Sequence, residues 1–337
     1  MDLSTHYLGM ELRTPLVASA SPLSENLDNI RALEEAGISA VVMHSLFEEQ
    51  LVQSHDELEF YHSFASNSFA EAQSFFPGSP QFHVGPERYL EHIAAARQSL
   101  KIPIIASLNG YSRGGWIRYA KELEAAGANA LELNLYQIPT DPMLSAAVIE
   151  QNYLDIVHEI KCSITIPVAV KLSPFFTNFG HFAHQLSALG ADGLVLFNRF
   201  YQPDINIETL EVEPHLLLSS PQELRLPLTW IGLLFGRIEA DLAASTGVHQ
   251  AKDVLKLLMA GAKITQMASV LLRRGIGYVR TLESELVHWL EEHEYDSIRQ
   301  LQGSVSQMYC PDPSAFERVQ YVKMLQGGYT GHSSQTV

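Results

Sequence analysis

The sequence predicts an α/β fold, a single (β/α)8 (TIM) barrel, on three observations. Short apolar, β-branched runs alternate with longer helical patterns, the order of a parallel sheet built from βαβ units. Eight such units can be counted, the number a closed barrel requires. The length of 337 residues exceeds one ordinary domain but suits an α/β barrel folded as one unit.

The strands are read at residues 15–20, 40–44, 102–108, 130–135, 168–172, 193–198, 240–244 and 263–268. Each is followed by a helix-like stretch. Ser24 is expected to cap the helical run 26–36, which Gly37 then closes. An Ala-Gly-Ile/Ala pattern recurs before three strands, at Ala36-Gly37-Ile38, Ala126-Gly127-Ala128 and Ala260-Gly261-Ala262. It marks helix-to-strand turns with glycine just past the helix end. Segments 46–87 and 199–227 are too long for simple connections. In a barrel both emerge at the C-terminal face, so they are expected to cover it. Residues 1–295 are read as the barrel and 296–337 as an extension packed on it or at an oligomer contact.

Hydrophobic residues make up 46% and charged residues 18%, enough apolar material for a sizeable core. The formal charge of −16, from 22 Lys+Arg against 38 Asp+Glu, opposes nucleic acid phosphates and anionic lipid. A small-molecule substrate is the expected partner, with a homodimer left open. An anionic ligand would need backbone amides, a helix N-terminus or a buried cation to bind against that field. The two cysteines, Cys162 and Cys310, have no CxxC or zinc-ligand spacing, so no metal is expected. Nor is there an iron–sulfur cluster pattern or a Rossmann fingerprint. No signal peptide or membrane-length apolar run is present, and the expected compartment is the cytoplasm.

Polar residues collect at the predicted strand ends: Ser19, Ser21, His44, Ser45, Asn109, Asn134, Lys171, Asn198, Ser245, Thr246 and Ser269. Each alone has a plain reading as a cap or turn former; together they are what a barrel active site requires. Strands seven and eight end in Ala-Ser-Thr-Gly-Val (244–248) and Met-Ala-Ser (267–269). The loops after these strands form the recurrent phosphate site of the fold. Taken alone, Gly247 is equally well a turn glycine.

Lys171 in VAVKLSP follows three apolar residues, so its ammonium should point into the barrel mouth. It could face the anionic N1–C2=O edge of a reduced flavin, act as a Schiff-base amine, or snorkel at a strand end. Asn134 and Asn198 end apolar strands, and their amides suit the edges of a pyrimidine or isoalloxazine ring.

The ordered set YLGMELRTPLVASASP, ELNL, VKLSP, LVLFNR, STGV and QMAS resembles the dihydroorotate dehydrogenase family, and within it a bacterial dihydroorotate dehydrogenase-like branch. The likeness runs from about residue 3 to 290. It implies an FMN flavoprotein oxidoreductase acting on CH–CH groups, of the kind used in pyrimidine biosynthesis. By the resemblance, Ala18, Ser19 and Ala20 lie along the flavin and Ser45 reaches its ring. Lys171 meets the N1/O2 edge. Asn109 and Asn134 sit near the isoalloxazine and substrate, Asn198 near substrate, and Thr246, Gly247, Ala268 and Ser269 at the FMN phosphate.

Where the family carries a Cys or Ser base, this loop reads Asn134-Leu135-Tyr136-Gln137-Ile138-Pro139. Gln137 thus takes the base position, and a neutral amide cannot usefully accept a proton near pH 7. His44 stands where the family has lysine, and Pro139 where it has asparagine. His44 and Tyr136 are left as proton carriers. Two alternatives remain: a flavin-binding module with impaired catalysis, and a Schiff-base aldolase or synthase barrel built on Lys171.

Overall fold

The computed structural model describes residues 1–53, 86–111, 116–213 and 216–326. In chain order its strands are β1 (Thr5–Tyr7), β2 (Met10–Leu12), β3 (Leu16–Ala18), β4 (Ala40–Val42), β5 (Leu46–Phe47), β6 (Ile104–Gly110) and β7 (Ala130–Leu135). They continue with β8 (Val168–Leu172), β9 (Gly193–Leu196), β10 (Asp204–Asn206), β11 (Glu211–Glu213), β12 (Asp241–Ser245) and β13 (Ile264–Met267). Eight of them, β3, β4, β6, β7, β8, β9, β12 and β13, are parallel neighbours in that order. The circle closes where β13 pairs with β3, Met267 opposite Ala18. This is the (β/α)8 barrel read from the sequence.

Alternation along the strands divides the core in two. Residues facing outward pack under the surrounding helices in one large cluster. Those facing inward form a second cluster, with Val17, Val42, Ile105, Ala130, Ala169, Val195, Ala243 and Ile264 at the barrel floor. Two residues further along the same strands the inward positions turn polar, as Ser19, Ser107, Glu132, Lys171, Ser245 and Gln266. All of these are buried.

The floor is closed from below by the antiparallel hairpin β1–β2. Its turn, Leu8 and Gly9, has φ of 52° and 73°, the positive values a two-residue hairpin turn demands. Tyr7, Leu8 and Leu12 from this hairpin join the inner cluster. Leu8 N–H donates to the Asp241 carboxylate at 2.8 Å, which fixes the plug to the start of β12.

Several boundaries differ from those expected. Asn26 caps the helix Leu27–Ala36, its side chain accepting from Asp28 N–H, while Ser24 donates to the Ser21 carbonyl within a preceding 3-10 turn. The Asx side chain adjoining the helix reaches its free amides; Ser24 is two residues too early. The third barrel strand runs on to Gly110, and the seventh begins at Asp241 and includes Ser245. Gly37, Gly127 and Gly261 do carry positive φ, 108°, 98° and 125°.

Past the last barrel helix, Tyr278–Glu292, the chain returns to the barrel. Gly303 and Val305 N–H donate to the carbonyls of Leu258 and Met259 at 2.9 Å. Among the described residues no helix is long and apolar enough to cross a membrane.

Candidate active site

A cavity of about 730 Å³ opens at the C-terminal ends of the barrel strands, within the range of small-molecule sites. Of the residues singled out in the sequence, Ser19, Ala20, His44, Ser45, Asn109, Asn134, Tyr136, Lys171, Asn198, Thr246, Gly247, Ala268 and Ser269 line it. Ala18 and Gln137 do not. Ala18 is buried in β3. Gln137 lies two residues past the end of β7, with its backbone near the Tyr153 hydroxyl. Strand alternation ends at Leu135, so sequence position alone could not assign the Gln137 side chain a direction.

At the base of the cavity the polar layer forms a closed ring. Lys171 Nζ donates to Glu132 Oε1 at 3.3 Å and Ser19 Oγ at 3.4 Å. Gln266 Nε2 donates to Glu132 Oε2 at 2.6 Å, and Ser19 Oγ donates to Gln266 Oε1 at 3.3 Å. The Lys171 and Glu132 side chains are 7% and 1% exposed, so each charge depends on the other for compensation. Glu132 and Gln266 were not singled out in the sequence. Each lies two residues before a strand-end site residue, Asn134 and Ala268, hence on the same inward face, and a core lysine calls for a carboxylate.

Register sets three of these side chains side by side: Asn109 is opposite Asn134, and Asn134 opposite Lys171. Asn198 Nδ2 donates to Asn134 Oδ1 at 2.9 Å, while its Oδ1 accepts from Arg199 N–H. Ser45 shares a 2.9 Å hydroxyl bond with Ser107.

His44 closes one side. Its ring meets the edge of Tyr89 at 4.9 Å and lies 5.9 Å from His92. Nδ1 is buried without a hydrogen-bond partner among the described residues. Burial first, then the neighbouring His92, lower the His44 pKa to about 4, against a smaller opposing effect of the Ser24 carbonyl. His44 is therefore neutral at neutral pH.

At the opposite side Thr246 and Gly247 both have φ of 80°. A Cβ on Gly247 would lie 2.3 Å from Leu224 N and 2.8 Å from its Cα. This is thus more than a turn glycine: backbone from the loop after β9 packs directly on it. Among the described residues the N–H groups of Gly247, Val248 and Ser269 make no hydrogen bond. Ser269 also begins a helix, so its N–H lies where helix dipole and free amides favour an anion. By contrast, the N–H groups of His249 and Gln250 are taken by Asp253.

The roof comes from the loops after β4 and β9. Phe47, Glu49 and Gln50 contribute from the first, and Arg199, Tyr201, Leu216, Leu218 and Ser219 from the second. Residues 54–85 of the first loop lie outside the described set. Ser269 Oγ accepts from Ser219 N–H at 3.0 Å. Arg199 Nε donates to Glu223 at 3.1 Å and Nη1 to the Leu217 carbonyl. The irregular backbone of this roof gave no periodic signal for Arg199, Tyr201 or Ser219.

A profile of the family described as dihydroorotate dehydrogenase matches residues 82–290. The chain belongs to the dihydroorotate dehydrogenase family. Its relatives include the catalytic subunit of dihydroorotate dehydrogenase B (NAD(+)) of Thermoplasma volcanium, 27% identical over 314 residues, covering 90% of this chain and 98% of that protein. The chloroplastic dihydropyrimidine dehydrogenase (NADP(+)) of Arabidopsis thaliana is 22% identical over 343 residues, covering 94% of this chain and 80% of that one. Dihydroorotate dehydrogenase A (fumarate) of Limosilactobacillus reuteri is 29% identical over 184 residues, half of this chain and 57% of that protein. The family is one of oxidoreductases.

Proposed function

We propose that this chain is an FMN-dependent oxidoreductase that exchanges hydride with a small cyclic substrate in the cavity at the barrel mouth. The observation that carries this reading is the buried Lys171 held over the cavity floor by Glu132 and Ser19, opposite free backbone amides at Gly247, Val248 and Ser269. The donor set fits the group at both ends: a fixed cation for the electron-rich edge of a flavin, and amides with a helix start for its phosphate. When bound, FMN supplies a hydride acceptor and donor at N5.

The chain's own residues bind and orient. Lys171 offers its ammonium to the N1/O2 edge. Ser19, Ala20 and Ser45 would hold the ring, and Thr246, Gly247, Ala268 and Ser269 would hold the phosphate. Asn109, Asn134 and Asn198 present amide donors and acceptors to substrate. Apolar Phe47, Leu216 and Leu218 line the roof over that face.

Proton transfer at the substrate carbon falls to His44 or Tyr136. Both line the cavity, whereas Gln137, which takes the place of the family's base, does not. Neutral His44 is in the form that accepts a proton. Its depressed pKa also makes it a weak base, so we expect dihydroorotate oxidation to be slow or absent. The Schiff-base reading is disfavoured because the family the chain belongs to is one of oxidoreductases.

The test is purification of the full chain and identification of the released chromophore by mass. One FMN per chain is expected, and Lys171→Met should shift its visible spectrum and weaken retention. Absence of flavin after expression with added riboflavin would refute the proposal. If flavin binds but a screen of cyclic reductants never bleaches it anaerobically, the chain is a flavin-binding module without dehydrogenase activity.

A further inference from the structure

A second cavity, of about 440 Å³, lies on the outside of the barrel between helix Phe179–Ala188, which follows β8, and helix Arg225–Leu234 in the β9–β12 connection. It shares no lining residue with the barrel mouth, and its size suits a small molecule. Among the described residues, neighbouring barrel helices pack closely at every junction of the ring except this one. The gap is bridged at both ends. At the start of the first helix, Phe179 and Trp230 meet edge to face with 5.0 Å between ring centroids. Near its end, Ser187 Oγ accepts from the N–H groups of Glu239 and Ala240, each at 3.1 Å. Fixed contacts thus hold the two helices apart, and the slot between them belongs to the fold.

The slot contains an arginine held in place. Arg237 Nη2 donates to Gln307 Oε1. Gln307 is buried and in turn donates to the Pro313 carbonyl at 2.8 Å and to Glu317 Oε1 at 3.2 Å. A guanidinium carries five N–H donors in a planar fork, and Gln307 takes one. The rest of the fork matches a carboxylate or a phosphate. From the facing helix His181 and His184, three residues apart and so on one side, add ring N–H donors. Trp230, Leu233 and Ile238 make up the apolar lining, and an indole face suits a flat ring. On a chain of formal charge −16, this slot gathers a guanidinium and two imidazoles beside one lining carboxylate, Glu317, among the described residues.

We infer that the slot is a second ligand site, which takes a small heteroaromatic ring carrying one anionic group, a carboxylate or a phosphate. Arg237 binds the anion, Trp230 covers the ring, and Glu317 accepts from a ring N–H or amino group. Gln307 is a positioning residue that fixes the guanidinium.

The full chain as purified is titrated calorimetrically with aminonicotinate and with adenosine monophosphate, and with aminonicotinamide and adenosine as the matching neutral rings. At least one anionic probe is expected to bind, about tenfold more tightly than its neutral counterpart, the margin of a charge-assisted hydrogen bond. Which of the two binds identifies the anion as carboxylate or phosphate. Arg237→Met is expected to weaken that binding about tenfold, whereas Asn198→Ala at the barrel mouth leaves it unchanged. Binding should also quench tryptophan fluorescence, a response lost in Trp230→Phe. Failure of both anionic probes to bind overturns the inference, as does equal affinity for the neutral rings or a loss of binding in Asn198→Ala with none in Arg237→Met. The comparison of charged with neutral probes uses the unmodified chain and stands even if a variant does not fold. None of these results depends on the flavin reading.

Discussion

The two ends of the barrel interior are built from the same strands by the same alternation, yet they hold opposite chemistry. At the floor, inward positions such as Val17, Ile105 and Val195 are apolar and the β1–β2 hairpin seals them from below. Two to four residues later they become Ser19, Ser107 and Asn109, and the barrel opens into the cavity. Floor residues have one arrangement that fills space, whereas at the mouth Asn109 leaves its side-chain amide without a hydrogen bond among the described residues. The Lys171–Glu132 pair lies at the junction, buried like the floor and polar like the mouth.

Breaking that junction should have the largest effect. Glu132→Ala leaves the Lys171 ammonium buried without its carboxylate and is expected to cost about 3–5 kcal/mol, seen as a lower urea midpoint at unchanged slope. At the floor, Leu8→Ala removes side chain that lies within 2.8 Å of where a Gly193 Cβ would stand. It should cost about 2–4 kcal/mol without altering retention of the proposed FMN. At the mouth, Gly247→Ala imposes positive φ and a clash with Leu224 backbone. An expected loss of about 1–3 kcal/mol should come with poorer retention of the proposed FMN, measured by absorbance after gel filtration.

A pH effect follows from His44, whose folded-state pKa lies near 4 against 6.5 for the unreacted side chain. Between these values the unfolded chain binds the extra proton, so stability rises with pH across the window. Its contribution is complete above about 6.5 and lost as pH falls toward 4. On the order of 1–3 kcal/mol is involved, and His44→Gln should flatten that part of the curve. The smallest effect is expected for Asn109→Ala, within about 0.5 kcal/mol in stability, with its consequence confined to ligand affinity. A large stability loss there would erase the distinction between floor and mouth.

The barrel strands were legible because apolar runs of fixed spacing are a strong signal, and the mouth because polar residues terminate those runs. The plug was missed because its short strands carry no apolar run, β1 reading Thr-His-Tyr and β2 Met-Glu-Leu. Glu132 was passed over in a strand whose other polar residue, Asn134, was singled out, though the partner requirement of Lys171 pointed to it. Gln137 could be aligned in sequence but not aimed, since it lies two residues beyond the strand end. Close approach of Leu224 to Gly247 joins segments distant in the chain, which local pattern does not reveal.

Closure of the barrel also bears on the order of events during synthesis. The strand holding Ala18 must wait for the one holding Met267 before the ring is complete. Until most of the chain has left the ribosome, β3 retains an unpaired edge and the hairpin carrying Tyr7, Leu8 and Leu12 has no finished floor to seal. Contacts of such long sequence separation form slowly, and an open parallel edge is a site for misassociation. The chain's first residues are thus among the last to reach their final surroundings, and expression at low temperature or with chaperones should favour the closed form.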